Sequence, residues 1–159
     1  MTAYRRFHMP GATYYFEVCL QDQSSTLLVD QIAHLRRAWK HTQAELPFVP
    51  LAAVVLPNKL QTIWSLPAGD ADFSERWRLI KLRFTLSQPG HGRANFSQAK
   101  KGERGLWQRR FWEHMIRDEA DLARHMEHIR RSPWLAGLVA DPAEWPYTSF
   151  AREPLAEAA

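Results

Sequence analysis

VPLAAVVLPNKLQTIWSL, Val49 to Leu66, is the stretch whose reading decides the fold. Its first part, Val49 to Leu56, is an apolar, valine-rich run, the pattern of a buried central strand. Pro57 and Asn58 mark a turn. Leu60 to Leu66 then alternates in polarity, so the whole stretch predicts a β-hairpin.

The flanking segments extend the pattern. In YYFEVCL, Tyr14, Phe16, Val18 and Leu20 fall on one face and Tyr15, Glu17 and Cys19 on the other, which is a strand. Ser24, Ser25 and Thr26 then offer N-caps to a helix with Leu28, Ile32, Leu35 and Trp39 at helical spacing, closed by Pro47 and Pro50. After the hairpin, Ser74 is placed to cap a second helix that aligns Trp77, Ile80 and Phe84 and ends at Pro89-Gly90. A glycine-rich, basic and aperiodic stretch, about residues 88–105, is expected to be a flexible loop. Leu106 to Met115 is expected to begin as a strand and turn helical. Asp118 caps a last helix with Leu122, Met126 and Ile129 facing inward, and Ser132-Pro133 is expected to stop it. The order is strand, helix, strand, strand, helix, strand, helix. It predicts an α+β fold with helices packed on an antiparallel sheet, as a single domain over 1–159 with a short tail at 151–159.

Composition narrows the class. The hydrophobic fraction of 45% supports a folded core and excludes a disordered chain. A net charge of +4 with a sequence pI near 9.5 favours an anionic partner. The lone Cys19 excludes an internal disulfide framework and fits a reducing compartment. No apolar run is long enough for a signal peptide core or a membrane span, so no membrane partner and a cytoplasmic location are expected.

Three groups of residues bear on chemistry. Positions 59 and 61 share a strand face, where a His-x-His pair would suit a divalent metal. Lys59 and Gln61 stand there instead, which favours a solvated strand face and no metal. On the last helix, Asp121, His125 and His128 could hold an ion, but a polar face with ordinary exposed histidines is the simpler reading. Basic residues recur in pairs beside aromatics: Arg5 and Arg6; Lys100, Lys101 and Arg104; Arg109 and Arg110; Arg130 and Arg131. Guanidinium forks with neighbouring aromatic rings suit phosphates and unpaired bases.

The blocks YRRFHMPGATYYFEV, AAVVLPNKLQTIW, SLPAGDADFSERWRLIK, GERGLWQRRFWEHMIRDEADLARH and GLVADPAEWPYTSF resemble the REP-associated tyrosine transposases, single-tyrosine members of the His-hydrophobic-His class. The resemblance covers about Tyr4 to Phe150. It implies a ferredoxin-like sheet and a DNA partner that is a hairpin or single-stranded. In active members it implies two histidines holding magnesium or manganese, a helical tyrosine that attacks the scissile phosphate, and an asparagine one turn later that completes the metal site. Carried onto this chain, the histidine slots are Lys59 and Gln61, the tyrosine slot is His128 and the asparagine slot is Ser132.

All four positions depart from the pattern. A register shift does not restore them, because no histidine lies between His41 and His91 and no tyrosine between Tyr15 and Tyr147. Loss of a covalent nucleophile alone costs about six orders of magnitude in rate. The expectation is a catalytically inactive DNA-binding protein without a cofactor, using Arg5, Arg6, Lys59, Lys100, Lys101, Arg104, Arg109, Arg110, Arg130 and Arg131. The alternatives are a nickase working through substitutes such as His125 and His128, and an interaction module or inert remnant that touches no DNA.

Overall fold

The computed structural model describes residues 9–88 and 105–150. Strand β1 (Thr13–Cys19) is followed by a one-turn helix α1 (Leu27–Asp30) and by α2 (Ile32–Glu45). Strands β2 (Val49–Val55) and β3 (Lys59–Ser65) form the hairpin, α3 (Phe73–Leu86) follows, and β4 (Trp112–Met115) leads into α4 (Glu119–Leu135). The strands lie in the order β2-β3-β1-β4, each antiparallel to its neighbours. This is the ferredoxin-like α+β arrangement that the sequence predicts. No helix among the described residues is long and apolar enough to cross a membrane.

The sheet is covered on both faces. Tyr14, Phe16 and Val18 of β1, with Leu20 just after it, meet α2 and α3 in one core with Leu35, Phe73, Trp77, Ile80 and Phe84. At its centre three rings stack: Phe48 on Trp64 at 4.0 Å and Trp64 on Trp77 at 4.3 Å between centroids. Tyr15, Ala52, Val54, Leu56 and Ile63 form a second core with Ile129 of α4. The period of two sends alternate residues of one strand into two different cores.

Several local expectations need correction. β2 is an edge strand, not a central one, and Pro50 was the sequence signal, since proline cannot donate to a ladder on both sides. The register slips between Pro50 and Ala52. The outer edge is covered by the WPYTSF block: Val55 N–H donates to the Tyr147 carbonyl at 2.7 Å, Ser149 N–H to the Ala53 carbonyl at 2.8 Å, and the Trp145 indole N–H to the Val55 carbonyl at 2.9 Å. Residues between Leu106 and Met115 are mostly irregular; only Trp112–Met115 is strand. The first predicted helix is broken at Gln31. The cap of α3 is Asp72, whose side chain accepts from Glu75 N–H at 3.1 Å, rather than Ser74.

Helix α4 continues through Pro133 to Leu135. Its end is set instead by Gly137, at φ +75°, where Gly137 N–H donates to the Trp134 carbonyl and Leu138 N–H to the Pro133 carbonyl, both at 2.9 Å. That pair of bonds is a Schellman closure, which needs the left-handed residue that glycine supplies. Proline removes one bond from the last turn, and the closure outweighs it.

Arg76 ties the connections on the α2/α3 side together. Its side chain is 1% exposed and all its N–H directions are used. Two go to the Asp70 carboxylate at 2.8 and 3.0 Å, the others to the carbonyls of Leu46, Pro47 and Asp72. The SLPAGDADFSERW block is therefore structural here. Asp70→Ala would strand this guanidinium. It is expected to lower the unfolding free energy in urea by about 3–5 kcal/mol.

Candidate functional site

The face of the sheet beneath α4 carries the chemistry. Register places Glu17 of β1 opposite Gln61 of β3 and Cys19 opposite Lys59. On the other side of β1, Glu17 faces Trp112 and Tyr15 faces His114. Helix α4 crosses above with Asp121, His125, His128 and Ser132 at successive turns.

The four slots named from the sequence converge in space. Gln61 is buried at 2% exposure, which corrects the expectation of a solvated face. Its amide N–H donates to Glu17 Oε1 at 2.8 Å, and its carbonyl oxygen is in hydrogen-bond contact with the Ser132 hydroxyl. That hydroxyl has one proton and a second acceptor within reach, the His128 carbonyl at 2.8 Å one turn earlier. Lys59 Nζ stands 3.8 Å from the same Glu17 oxygen, both side chains about a third exposed. The His128 side chain is exposed beside Tyr15, with ring centroids 6.1 Å apart.

Sequence reasoning named Asp121 and His125 of the group beside these slots and missed His114. Asp121, at 1% exposure, receives His114 Nε2 at 2.8 Å and the Arg117 backbone N–H at 3.0 Å, and lies 3.2 Å from His125 Nδ1. The Arg117 and Arg124 guanidiniums reach it at 3.5 and 3.3 Å. The two imidazoles stack at 4.6 Å. Burial opposes charge on Asp121, but the hydrogen bonds from His114 and Arg117, with His114 and His125 alongside, hold its carboxyl well below the usual range. Ligand atoms of His114, Asp121 and His125 lie within 4.8 Å of one another, so this trio, with His114 in place of the expected His128, has the donor types for a metal. Two guanidiniums on the shared carboxylate oppose a cation there, and the cluster reads as a knot that fastens α4 to β4. The signal was present: the alternation of Trp112 and His114, and Asp121 to His125 at four residues.

Tyr15 is the phenol beside the His128 slot, 4% exposed. Burial, then the charges of Glu17 and Cys19, push its pKa up, so it stays a neutral phenol and not an activated nucleophile. Tyr15, Glu17, Trp112, Arg124, His125 and His128 line a cavity of about 500 Å³.

The paired arginines do not form one patch. Arg109 lines a second cavity of about 410 Å³ against Arg78 and Lys81 of α3, on the opposite side of the sheet from α4. Arg110 is exposed next to β4. On α4, Arg130 grips Glu127, while the Arg131 guanidinium lies 5.0 Å from the centre of the Trp134 ring. Arg5, Arg6, Lys100, Lys101 and Arg104, most of the loop at 88–105, and the tail at 151–159 lie outside the described residues.

Two solved structures share this architecture. A Deinococcus radiodurans protein assigned as a transposase matches with a TM-score of 0.53 at 12% identity, over 88% of this chain and 99% of that one, a likeness of fold alone. A REP-associated tyrosine transposase solved bound to a REP hairpin matches with a TM-score of 0.80 at 38% identity, over 94% of this chain and 83% of that one. The class is thus a transposase domain. In sequence, the REP-associated tyrosine transposase of Escherichia coli K12 is 39% identical over 153 residues, 96% of this chain and 85% of the relative. A Haemophilus influenzae protein assigned to the same family is 39% identical over 158 residues, 99% of this chain and 90% of the relative. No protein-family model matches the chain. The chain belongs to the REP-associated tyrosine transposases.

The divalent ion that this resemblance implies for active members does not fit the residues present. Gln61 is committed on both ends of its amide, and the one carboxylate in the pocket, Glu17, already faces an ammonium and an amide N–H.

The Asp121 knot gives a pH signature. A carboxyl whose folded pKa is depressed contributes stability that is complete above the unfolded value near 4 and is lost as pH falls toward the folded one. Asp121→Ala is expected to cost on the order of 3 kcal/mol at pH 7. In urea titrations repeated at falling pH, the gap to the unsubstituted protein should shrink below about pH 4.

Proposed function

We propose that this protein binds hairpin or single-stranded DNA without cutting it, a transposase scaffold that has kept recognition and lost catalysis. The observation that carries this reading is the convergence of Lys59, Gln61, His128 and Ser132 on one face with Gln61 locked between Glu17 and Ser132. The two strand slots offer no pair of histidine ligands, and the helix slot offers no phenol. What they do offer is Lys59, a partly exposed ammonium on the strand face where active members hold their ion. Its charge suits a DNA phosphate that the ion would otherwise neutralise.

A relative solved on a REP hairpin supports a hairpin as the partner. The exposed arginines, Arg109 and Arg110 before β4 and Arg131 on α4, supply phosphate contacts on more than one side of the domain. Arg130 can join them by exchanging an exposed ion pair for a phosphate. Arg5, Arg6, Lys100, Lys101 and Arg104 extend the same proposal by their charge in the sequence. The protein needs no cofactor for this role.

A labelled hairpin with single-stranded flanks, run on native and denaturing gels with and without manganese, tests the proposal. The expected result is a native shift at low salt that manganese does not change and no adduct after denaturation. A manganese-dependent nick or covalent adduct would overturn the loss of catalysis, and absence of any shift at low salt would overturn DNA binding. Lys59→Ala is expected to weaken binding uniformly across sequences and to reduce the slope of log affinity against log salt by about 1.

A further inference from the structure

We propose that the outer face of α3, with the cavity beside it, is a docking surface for an acidic protein segment that carries an aromatic anchor. The surface lies on the opposite side of the sheet from α4, and its role is separate from DNA binding.

Helix α3 buries one line of side chains and leaves an unusual one in water. Trp77, Ile80 and Phe84 pack into the ring core. Arg78, Leu82 and Leu86 follow one another at intervals of four residues, so they share a line along the helix, and all three are exposed. Leu82 is 39% exposed and Leu86 56%. A helix packed on a sheet ordinarily turns polar side chains outward. A single exposed leucine would be unremarkable. Here two stand one turn apart, and the first borders a concavity.

That concavity is the cavity of about 410 Å³ between α3 and the segment that enters β4. Its apolar wall comes from Leu82, Leu106, Trp107 and Phe111. The described residues that line it include three cations, Arg78, Lys81 and Arg109, and no carboxylate. Neither segment supplies one nearby, since residues 76–88 and 105–112 contain no aspartate or glutamate. Two contacts fix the shape of the wall. The Trp107 indole N–H donates to the Thr85 hydroxyl at 3.1 Å. The Lys81 ammonium donates to the Gln108 carbonyl at 3.1 Å and stands 5.2 Å from the centre of the Phe111 ring, which holds its charge against the apolar surface. Arg78 pairs with Glu75 at 2.7 and 2.9 Å on the helix exterior. An exposed pair of that kind contributes little, so the guanidinium can exchange it for a carboxylate of a partner.

A preformed apolar pocket with cations at its margin is the anatomy of an anchor site: the anchor fills the pocket and the charges steer its approach. The volume is within the range that encloses a ring-sized group. A nucleic-acid backbone would satisfy the cations but offers nothing to Leu82 and Leu86. A segment with carboxylates around an aromatic side chain satisfies both, and charge and apolar surface together therefore favour protein.

Fluorescence anisotropy of a labelled aspartate-rich peptide with one phenylalanine, titrated with the full-length protein, tests the proposal. The comparisons are the same peptide with alanine for the phenylalanine, and a lysine-rich peptide that keeps the phenylalanine. The acidic phenylalanine peptide is expected to bind, the alanine form about tenfold more weakly, and the lysine form not measurably. Leu82→Ser and Leu86→Ser, each checked for folding by a thermal melt, should weaken the phenylalanine peptide and leave the affinity for a DNA hairpin unchanged. No binding of the acidic peptide, or binding indifferent to its phenylalanine or to both leucine substitutions, would overturn the docking surface. Loss of hairpin affinity in folded Leu82→Ser would assign the face to nucleic acid and overturn it as well.

Discussion

Strand β1 is covered by helices on both faces, and most of this molecule follows from that. One side of the strand must feed an aromatic core beneath α2 and α3, and the other must accept α4. Since neighbouring residues point oppositely, Tyr14 and Phe16 pack rings while Tyr15 and Glu17, beside them in sequence, sit in the pocket. The same strand therefore stabilises the fold and furnishes a wall of the site. A shift of one residue in pairing would exchange the two sets and bury Glu17 in the ring stack.

Two buried ionic centres hold the two sides. Arg76 gathers the Asp70 carboxylate and three carbonyls from the connections around α2 and α3. Asp121 gathers two imidazoles and two guanidiniums where α4 meets β4. They do opposite jobs of charge: one cation satisfied by oxygens, one anion satisfied by nitrogens. Each is affordable because nearly every polar atom on it has a partner, without which the desolvation cost would dominate.

On the α4 side lies the pocket where family resemblance places the metal and the nucleophile. Its present occupants form a closed chain from Lys59 through Glu17 and Gln61 to Ser132. A glutamine can bridge a carboxylate and a hydroxyl because it offers a donor and an acceptor on one planar group. Histidine in its neutral form could do this too, but a metal-bound one could not. Lys59, Gln61 and Ser132 thus suit one another, each meeting a polar atom of the chain, while the His128 side chain stands apart beside Tyr15.

How much of this was legible in the sequence depends on the range of the forces involved. Alternation in Tyr14 to Leu20 and along the hairpin, the cap at Asp118 and the helical spacing of Trp77, Ile80 and Phe84 are local, and local sterics and periodicity express them directly. That positions 59 and 61 share a strand face and positions 128 and 132 a helix face was legible too, because spacing is a property of the chain. The edge position of β2, the course of α4 through Pro133, the burial of Gln61 and the membership of His114 in the Asp121 knot were not. Three of these depend on a partner far along the chain: Tyr147 for β2, Ser132 for Gln61, a register across β1 for His114; the course of α4 is closed locally at Gly137. Sequence by itself determined which residues alternate, which are charged and which side chains stand at positions 59, 61, 128 and 132. Only the tertiary structure decided which of them meet, because register and helix docking are settled by packing and polar pairing between distant segments, and no single stretch of chain contains that condition.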